Sequence, residues 1–390
     1  MNIKPLQGIK VLDLSAGVAG PHAGMLLAMN GADVIKIEPP EGDWSRRLGT
    51  HENGQSTYSL YYNQGKRSLC LDLKAPQAKA ILKKLIEQAD IFIESFRPGV
   101  IDRLGLSYQD VAAIKPNMVY LSVSGFGQAG ELAKLPGTDS AIQAYTGLMY
   151  LNRDADGTPQ RFPHIIVDVV AGLYAYEMIS SAYIKALRFN QGSYLDCSLL
   201  HVSLSMQAPV LMRHQTEKGL ESQDPVPVGV FQTSDGYLSI SVSREDQFER
   251  LCRCMGREDL REMPEFATNA QRIENKEALL EILQGEFMKA SNEIWDQRLE
   301  QADIVHGLVK DYDSLLASSA LRDMKVMAEA RLSTTNPPLV FPETLTANWP
   351  ESTAQLAPGV GEHTTEILAQ AGIPDAEIRE LLTSRAVQQG

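Results

Sequence analysis

The sequence predicts an α/β protein, with a large Rossmann-like domain built on a parallel sheet and a smaller α+β domain. Three observations predict it. Short apolar runs alternate with amphipathic stretches from residue 9 to about residue 200, the order in which a parallel sheet collects helices on its faces. A polar, proline-containing stretch over 217–228 then interrupts the pattern. Beyond it a hairpin signal leads into helices rich in Arg and Glu. At 390 residues the chain is long enough for two domains.

The elements follow in order. Residues 9–14 form a first strand and 21–29 a helix after a glycine turn, with a second strand over 33–37. Further strands are predicted over 69–73, 91–94 and 118–123, with an amphipathic helix over 76–88. Residues 168–187 read as a long, mostly apolar helix, 194–197 as a strand and 199–212 as one buried helix. These place the first part of the large domain at 1–216, followed by a linker at 217–228. The small domain, 229–324, opens with a hairpin over 231–242, turned at Ser234-Asp235-Gly236, and continues as helices over 245–302. Residues 325–390 return to the large domain through a proline-rich stretch at 336–358 and end in helices near 361–370 and 374–384.

Composition excludes several classes. The chain is 44% hydrophobic and 22% charged, ordinary for a globular protein. Its formal net charge of −13 argues against nucleic-acid or anionic-membrane partners, which need a basic field. The four cysteines, Cys70, Cys197, Cys252 and Cys254, are too sparse for a secreted disulfide framework. Cys252-Arg253-Cys254 is too tightly spaced for a zinc or redox pair, so no metal is expected. No run has the pattern of a signal peptide or membrane span, and a cytoplasmic location is expected.

Four features could carry chemistry. The turn Ser15-Ala16-Gly17-Val18-Ala19-Gly20-Pro21 could bring backbone N–H groups to a phosphate. It lacks the third glycine of a dinucleotide fingerprint, which argues against a nicotinamide enzyme, and it also suits a plain helix entry with proline at its start. Arg46, Arg47, Lys66, Arg67, Lys74, Arg97 and Arg103 each fall near an element end, where they could converge on a polyphosphate or be solvated surface charges. Asp168 stands in the apolar run Ile165-Ile166-Val167-Asp168-Val169-Val170-Ala171-Gly172, where it either caps the following helix or is a functional carboxylate kept ionised by the helix N-terminus. Gly172, one turn on, would let a ligand approach closely. His164, with Arg161, could meet a substrate carboxylate or be structural.

Taken together these residues resemble the class III CoA-transferases, the family of formyl-CoA transferase and carnitine CoA-transferase. The resemblance rests on ordered blocks. They are Gly8 to Leu14, Ala19-Gly20-Pro21, Gly31 to Pro39, Gly42-Asp43 with Arg46, and Asn63 with Gly65-Lys66-Arg67-Ser68. Leu71-Asp72-Leu73-Lys74, Phe96 to Val100, Arg103-Leu104-Gly105, Ser124 to Gln128, Asp168, and Ala357-Pro358 with Gly361 to Thr364 continue the order. The resemblance implies an enzyme that moves CoA from an acyl-CoA donor to a carboxylic acid acceptor, with Asp168 as nucleophile. It implies CoA contacts at Val18, Ala19, Leu71, Asp72, Leu73, Lys74, Ser95, Phe96, Arg97, Arg103, Gly137, Thr138 and Asp139. It implies no tightly bound cofactor, with acyl-CoA as substrate, and an interlocked homodimer. Two departures touch the CoA contacts: Pro39-Pro40 stand where some members carry a basic residue, and Gly130-Glu131 replaces a Gly-Pro pair. The related α-methylacyl-CoA racemases pair the aspartate with the histidine of a Gly-His-Asp motif, and here that position is Thr138. A racemase and a non-catalytic acyl-CoA-binding protein are the alternatives. The acyl pocket is expected near Val18, His22, Leu48, Tyr145 and His164.

Overall fold

A computed structural model of the chain describes residues 3–49, 51–52, 55–154, 156–217, 224–330, 338–344 and 356–390. The chain divides into two units, Met1–Met212 with Val326–Gly390, and Arg213–Lys325. Of the expected linker, residues 218–223 lie outside the described residues, as do 331–337 and 345–355 of the expected return segment.

The larger unit is a doubly wound sheet. Its strands are β1 (Lys10–Asp13), β2 (Asp33–Glu38), β3 (Arg67–Leu71), β4 (Ile91–Glu94), β5 (Val119–Ser124), β6 (Ser193–Ser198) and β7 (Val387–Gln388). Their order across the sheet is β7-β3-β2-β1-β4-β5-β6. The first six run parallel, and β7 pairs antiparallel on the β3 edge. Alternate residues enter opposite layers, as the two-residue repeat of a strand requires. Leu12, Ile35, Ile37 and Phe92 join one core with the helices Ala78–Gln88, Thr364–Gln370 and Asp375–Thr383. Val11, Val34, Ile91 and Ile93 join the other, with α1 (Ala19–Met29) and a long helix further on. Burial on both faces explains why these strands read as nearly continuous apolar runs.

Two helices complete the frame of the site, α2 (Asp139–Tyr145) and α3 (Ile166–Phe189). The face that α3 buries is mostly small: Ala171, Gly172, Ala175, Ala182 and Ala186, with Val167 and Ile179. Small side chains let the helix lie close to its neighbours. The single helix expected over 199–212 is two, Leu199–Met206 and Ala208–Glu217. Pro209 is the reason, because its ring would strike the carbonyl of the preceding turn in an unbroken helix.

In the smaller unit, Val228–Gln232 pairs antiparallel with Tyr237–Ser241 around the expected turn. A third strand, Val305–Leu308, which the sequence did not suggest, pairs with the other edge of Tyr237–Ser241. Phe231, Phe287 and Trp295 centre its core. Among the described residues, no helix is long and apolar enough to cross a membrane.

Candidate active site

The strand order puts a topological switch point between β1 and β4. From β1 the chain winds outward one way to β2 and β3, and then the other way from β4. Connections therefore diverge above the carboxyl ends of these two strands and leave a crevice there, the usual ligand position in open α/β sheets. A cleft of about 520 Å³ occupies this place. Ser15 and Ala16 line it from the end of β1, Pro39 and Trp44 from beyond β2, Lys74 from beyond β3 and Phe96 from beyond β4.

The turn between β1 and α1 is held from beneath by buried charges. Asp13 pairs with Lys66 at 2.8 Å, and neither side chain is exposed. The Lys66 ammonium also donates to the Pro21 carbonyl at 2.8 Å and to Asn63 Oδ1 at 2.9 Å, so each of its three protons has an acceptor. Asp13 accepts from the Ser15 amide at 3.0 Å and from the Ser15 hydroxyl. Lys36 donates to the Ser15 carbonyl and to Asp43 at 3.0 Å. The Asp43 carboxylate receives the Gly17 amide at 3.0 and 3.2 Å, and Ser95 Oγ receives the Ala16 amide at 2.8 Å. Glu38 grips Arg46 through two bonds of 2.7 Å. Burial penalises these charges, but their partners outweigh it: Lys66 and Lys36 hold Asp13 below its ordinary range, and Asp43, Asp13 and Glu38 hold Lys36 above its own. For Lys66 burial wins and brings the ammonium down to about 8.

This network divides the loop cations, and for two of them neither convergence on a polyphosphate nor solvated surface charge holds. Arg46 and Lys66 are buried in ion pairs, and Arg67 lies at the other end of its strand, bonded to Asp33 and Glu366. Lys74 and Arg47 line the cleft, and Arg97 and Arg103 are exposed just beyond β4. No ion pair among the described residues involves Lys74, Arg97 or Arg103.

Asp168 lies in the first turn of α3, on the opposite face of the sheet from the cleft-side core. It does not cap its helix. Asp139 does, accepting the Val167 amide at 2.8 Å and the Asp168 amide at 3.2 Å on one oxygen and the Gln143 side chain at 2.5 Å on the other. The positive end of α3 is therefore neutralised by a second carboxylate before Asp168 can use it. Burial, and then the Asp139 charge, push the Asp168 carboxyl up to about 7. The helix N-terminus does not keep it strongly ionised, contrary to the sequence expectation.

His22, one of the residues expected in the acyl pocket, bonds the backbone one residue past Asp168. His22 on α1 is buried, with Nδ1 3.1 Å from the Val169 carbonyl. A carbonyl can only accept, so Nδ1 carries the proton. Burial, helped by the Lys66 charge, pushes the imidazole down to about 4 and keeps it neutral. A Cβ at Gly172 would come within 2.5 Å of this ring, so the room at Gly172 is filled by His22 and not left for a ligand. Tyr62 packs on His22 at 5.2 Å, and its hydroxyl pKa is raised by burial, with neighbouring tyrosines and Asp168 adding to it.

The other expected contacts separate into groups. Asp72, Leu73, Lys74 and Phe96 line the cleft, and Ser95 ties its edge to the turn. Val18 and Ala19 are buried where α1 begins, and Leu71 is wholly buried in the core. Gly137 packs against Gly125, where a Cβ would come within 2.5 Å of the facing Cα. Thr138 caps α2 through the Ala141 amide at 3.4 Å. Of the expected acyl-pocket residues, Leu48 is half-buried, Tyr145 is exposed against Phe126, and His164 and Arg161 are exposed.

A doubly wound sheet with a cleft at its switch point is the arrangement of an α/β ligand-binding enzyme, and Asp168 with its raised pKa opens the long helix on the other face of the sheet. Residues 6–364 match the model of CoA-transferase family III, and the chain belongs to that family. Succinyl-CoA:glutarate CoA-transferase of Homo sapiens is 32% identical over 100% of this chain and 91% of its own length. Acetyl-CoA:oxalate CoA-transferase of Acetobacter aceti is 32% identical over 85% of this chain and 88% of its own. The crystal structure of a CAIB/BAIF family protein from Brucella suis superposes with a TM-score of 0.84 at 28% identity, covering 95% of this chain and 100% of that one. The family expected from the sequence blocks is thus the family found. The protein is a class III CoA-transferase acting between acyl-CoA and carboxylic acid.

Proposed function

We propose that the transfer runs through Asp168 as a covalent carrier. The carboxylate attacks the donor thioester carbonyl, the C–S bond breaks, and CoA thiolate leaves a mixed anhydride behind. The thiolate then attacks the aspartyl carbonyl carbon, giving an aspartyl-CoA thioester and releasing the donor acid. An acceptor carboxylate attacks that thioester and expels the thiolate once more. The thiolate takes the acceptor acyl group and frees Asp168. Every step exchanges one acyl bond for another, so the thioester energy is kept.

The observation that carries this is the environment of Asp168. Among the described residues no cation or backbone amide bonds its carboxyl, and Asp139 has taken the helix end. A carboxylate with little solvation and no counter-ion is the more reactive nucleophile, at the expense of being protonated below about 7. In this reading the cleft takes the nucleotide of CoA, with Lys74, Arg97 and Arg103 as phosphate partners. The named activities of the two relatives put succinyl-CoA and acetyl-CoA first among donors to try, and glutarate and oxalate first among acceptors. A homodimer belongs to the same proposal. Leu173, Tyr174, Ile184, Leu187 and Phe189 are exposed on α3, and a second copy would cover them.

The test is chemical trapping. Incubation with an acyl-CoA donor and hydroxylamine, followed by peptide mass spectrometry, is expected to convert Asp168 to its hydroxamate. Modification elsewhere, or none during turnover, would end the covalent proposal.

A further inference from the structure

We propose that Trp44 is the wall on which the pantetheine arm of CoA lies as it crosses from the switch-point cleft over Gly17 toward Asp168. The proposal rests on the covalent reading above and adds a residue to it. Trp44 is 49% exposed, unusual for an indole, and it lines the cleft. Its position is set by the residue before it. Asp43 holds the Gly17 amide and caps the short helix Trp44–Arg47 through the Ser45 amide at 2.8 Å. The indole therefore lies directly on Gly17, where a Cβ would come within 2.4 Å of its ring. Gly17 also has φ +87, a left-handed conformation that favours glycine. Turn and indole thus form one fixed surface.

The chemistry of that surface fits an amide-bearing chain. The ring offers an apolar face to methylene and methyl groups, and its N–H has no hydrogen-bond partner among the described residues, so it can donate to an amide carbonyl. The cation suited to phosphate stands elsewhere. Lys74 follows β3, two strands from β1 and so roughly 10 Å away at the usual strand spacing. The cleft residues Leu14 and Ile37 belong to the core on one face of the sheet and Val167 and Ala171, flanking Asp168, to the core on the other, while Gly17 follows the cleft residues Ser15 and Ala16 and precedes α1. A thioester reaching Asp168 from nucleotide bound in the cleft must pass this turn.

Intrinsic fluorescence tests it. Of the three tryptophans, Trp295 is buried in the smaller unit and Trp349 lies outside the described residues, so titrations are read as the difference between the unaltered protein and Trp44→Phe. CoA and pantetheine are expected to change the Trp44 signal. In Trp44→Ala the Kd for CoA and for pantetheine rises about tenfold, while that for adenosine 3′,5′-bisphosphate stays within about twofold. Trp44→Phe, which keeps a ring and loses the N–H, binds CoA with intermediate affinity. An equal loss of adenosine bisphosphate affinity would assign Trp44 to the base and overturn the proposal. An unchanged Kd for CoA in Trp44→Ala would remove it from the binding surface altogether. Absence of CoA binding to the unaltered protein would instead defeat the cleft assignment on which the proposal rests.

Discussion

Asp13, buried at the end of β1, and Asp168, half-buried in the first turn of α3, are both desolvated aspartates, and the protein treats them in opposite ways. Asp13 has Lys66, Lys36 and Ser15 around it, and these hold it below the ordinary carboxylate range although burial pushes the other way. Asp168 faces burial with a like charge, Asp139, as its neighbour, and rises to about 7. The first is a fastener: its charge is complete at all working pH and it shapes the turn. The second is left uncompensated, which a purely structural carboxylate would not be. Residue type and burial alone do not separate structure from chemistry here, whereas the partners do.

The largest effect is expected from Asp168→Asn. It should reduce CoA transfer by roughly 10³-fold or more, because the amide cannot form the anhydride. Its thermal stability at pH 8 should be unchanged or higher. A carboxyl raised in the fold destabilises it once pH passes the unfolded value, and the penalty is full above about 7. Turnover near the unaltered rate would dissolve the contrast. The complementary break is Lys66→Ala. It strands Asp13 without its counter-ion in the core and should destabilise the protein by about 3–5 kcal/mol in denaturant titration. If Lys66→Ala melts like the unaltered protein, the network beneath the turn is not what holds it.

The contrast also marks what the sequence could and could not reveal. The strands, the turn and the Lys36, Glu38 and Asp43 blocks are legible because they are local: short apolar runs and short ordered motifs read within one window. The partners that decide each aspartate are distant. Asp139 reaches the Asp168 amide across 29 positions, and His22 reaches the Val169 carbonyl across 147. No periodicity announces such pairs, so the sequence leaves Asp168 between cap and functional carboxylate and suggests a ligand for the space at Gly172. Pro209 is a local break that a sequence can show, while β7, at two residues, is too short to carry a pattern.

Gly172 gives a smaller effect with a sharper signature. A Cβ there meets His22 at 2.5 Å, so Gly172→Ala should destabilise by about 1–3 kcal/mol through overpacking. His22→Ala should instead leave a void. In the double variant the two changes should offset each other, giving less loss than their sum. Strict additivity in thermal melts would mean that the imidazole does not fill the space at Gly172.

The finest test concerns the charge that Asp168 lacks. As its reactive form is the carboxylate, kcat/KM should rise with pH through an apparent pKa near 7 and fall away on the acid side. Asp139→Asn keeps an oxygen to accept the helix amides but removes the like charge. Burial is the larger cause of the shift and Asp139 the smaller, so the midpoint should move down by less than about one pH unit. The helix itself should stay capped, while the bond from Gln143 is lost because its amide nitrogen would face the new Asn nitrogen. A midpoint that stays put would assign the whole shift to burial. A drop into the ordinary carboxylate range would mean that Asp139, and not the dry surroundings, holds Asp168 poised.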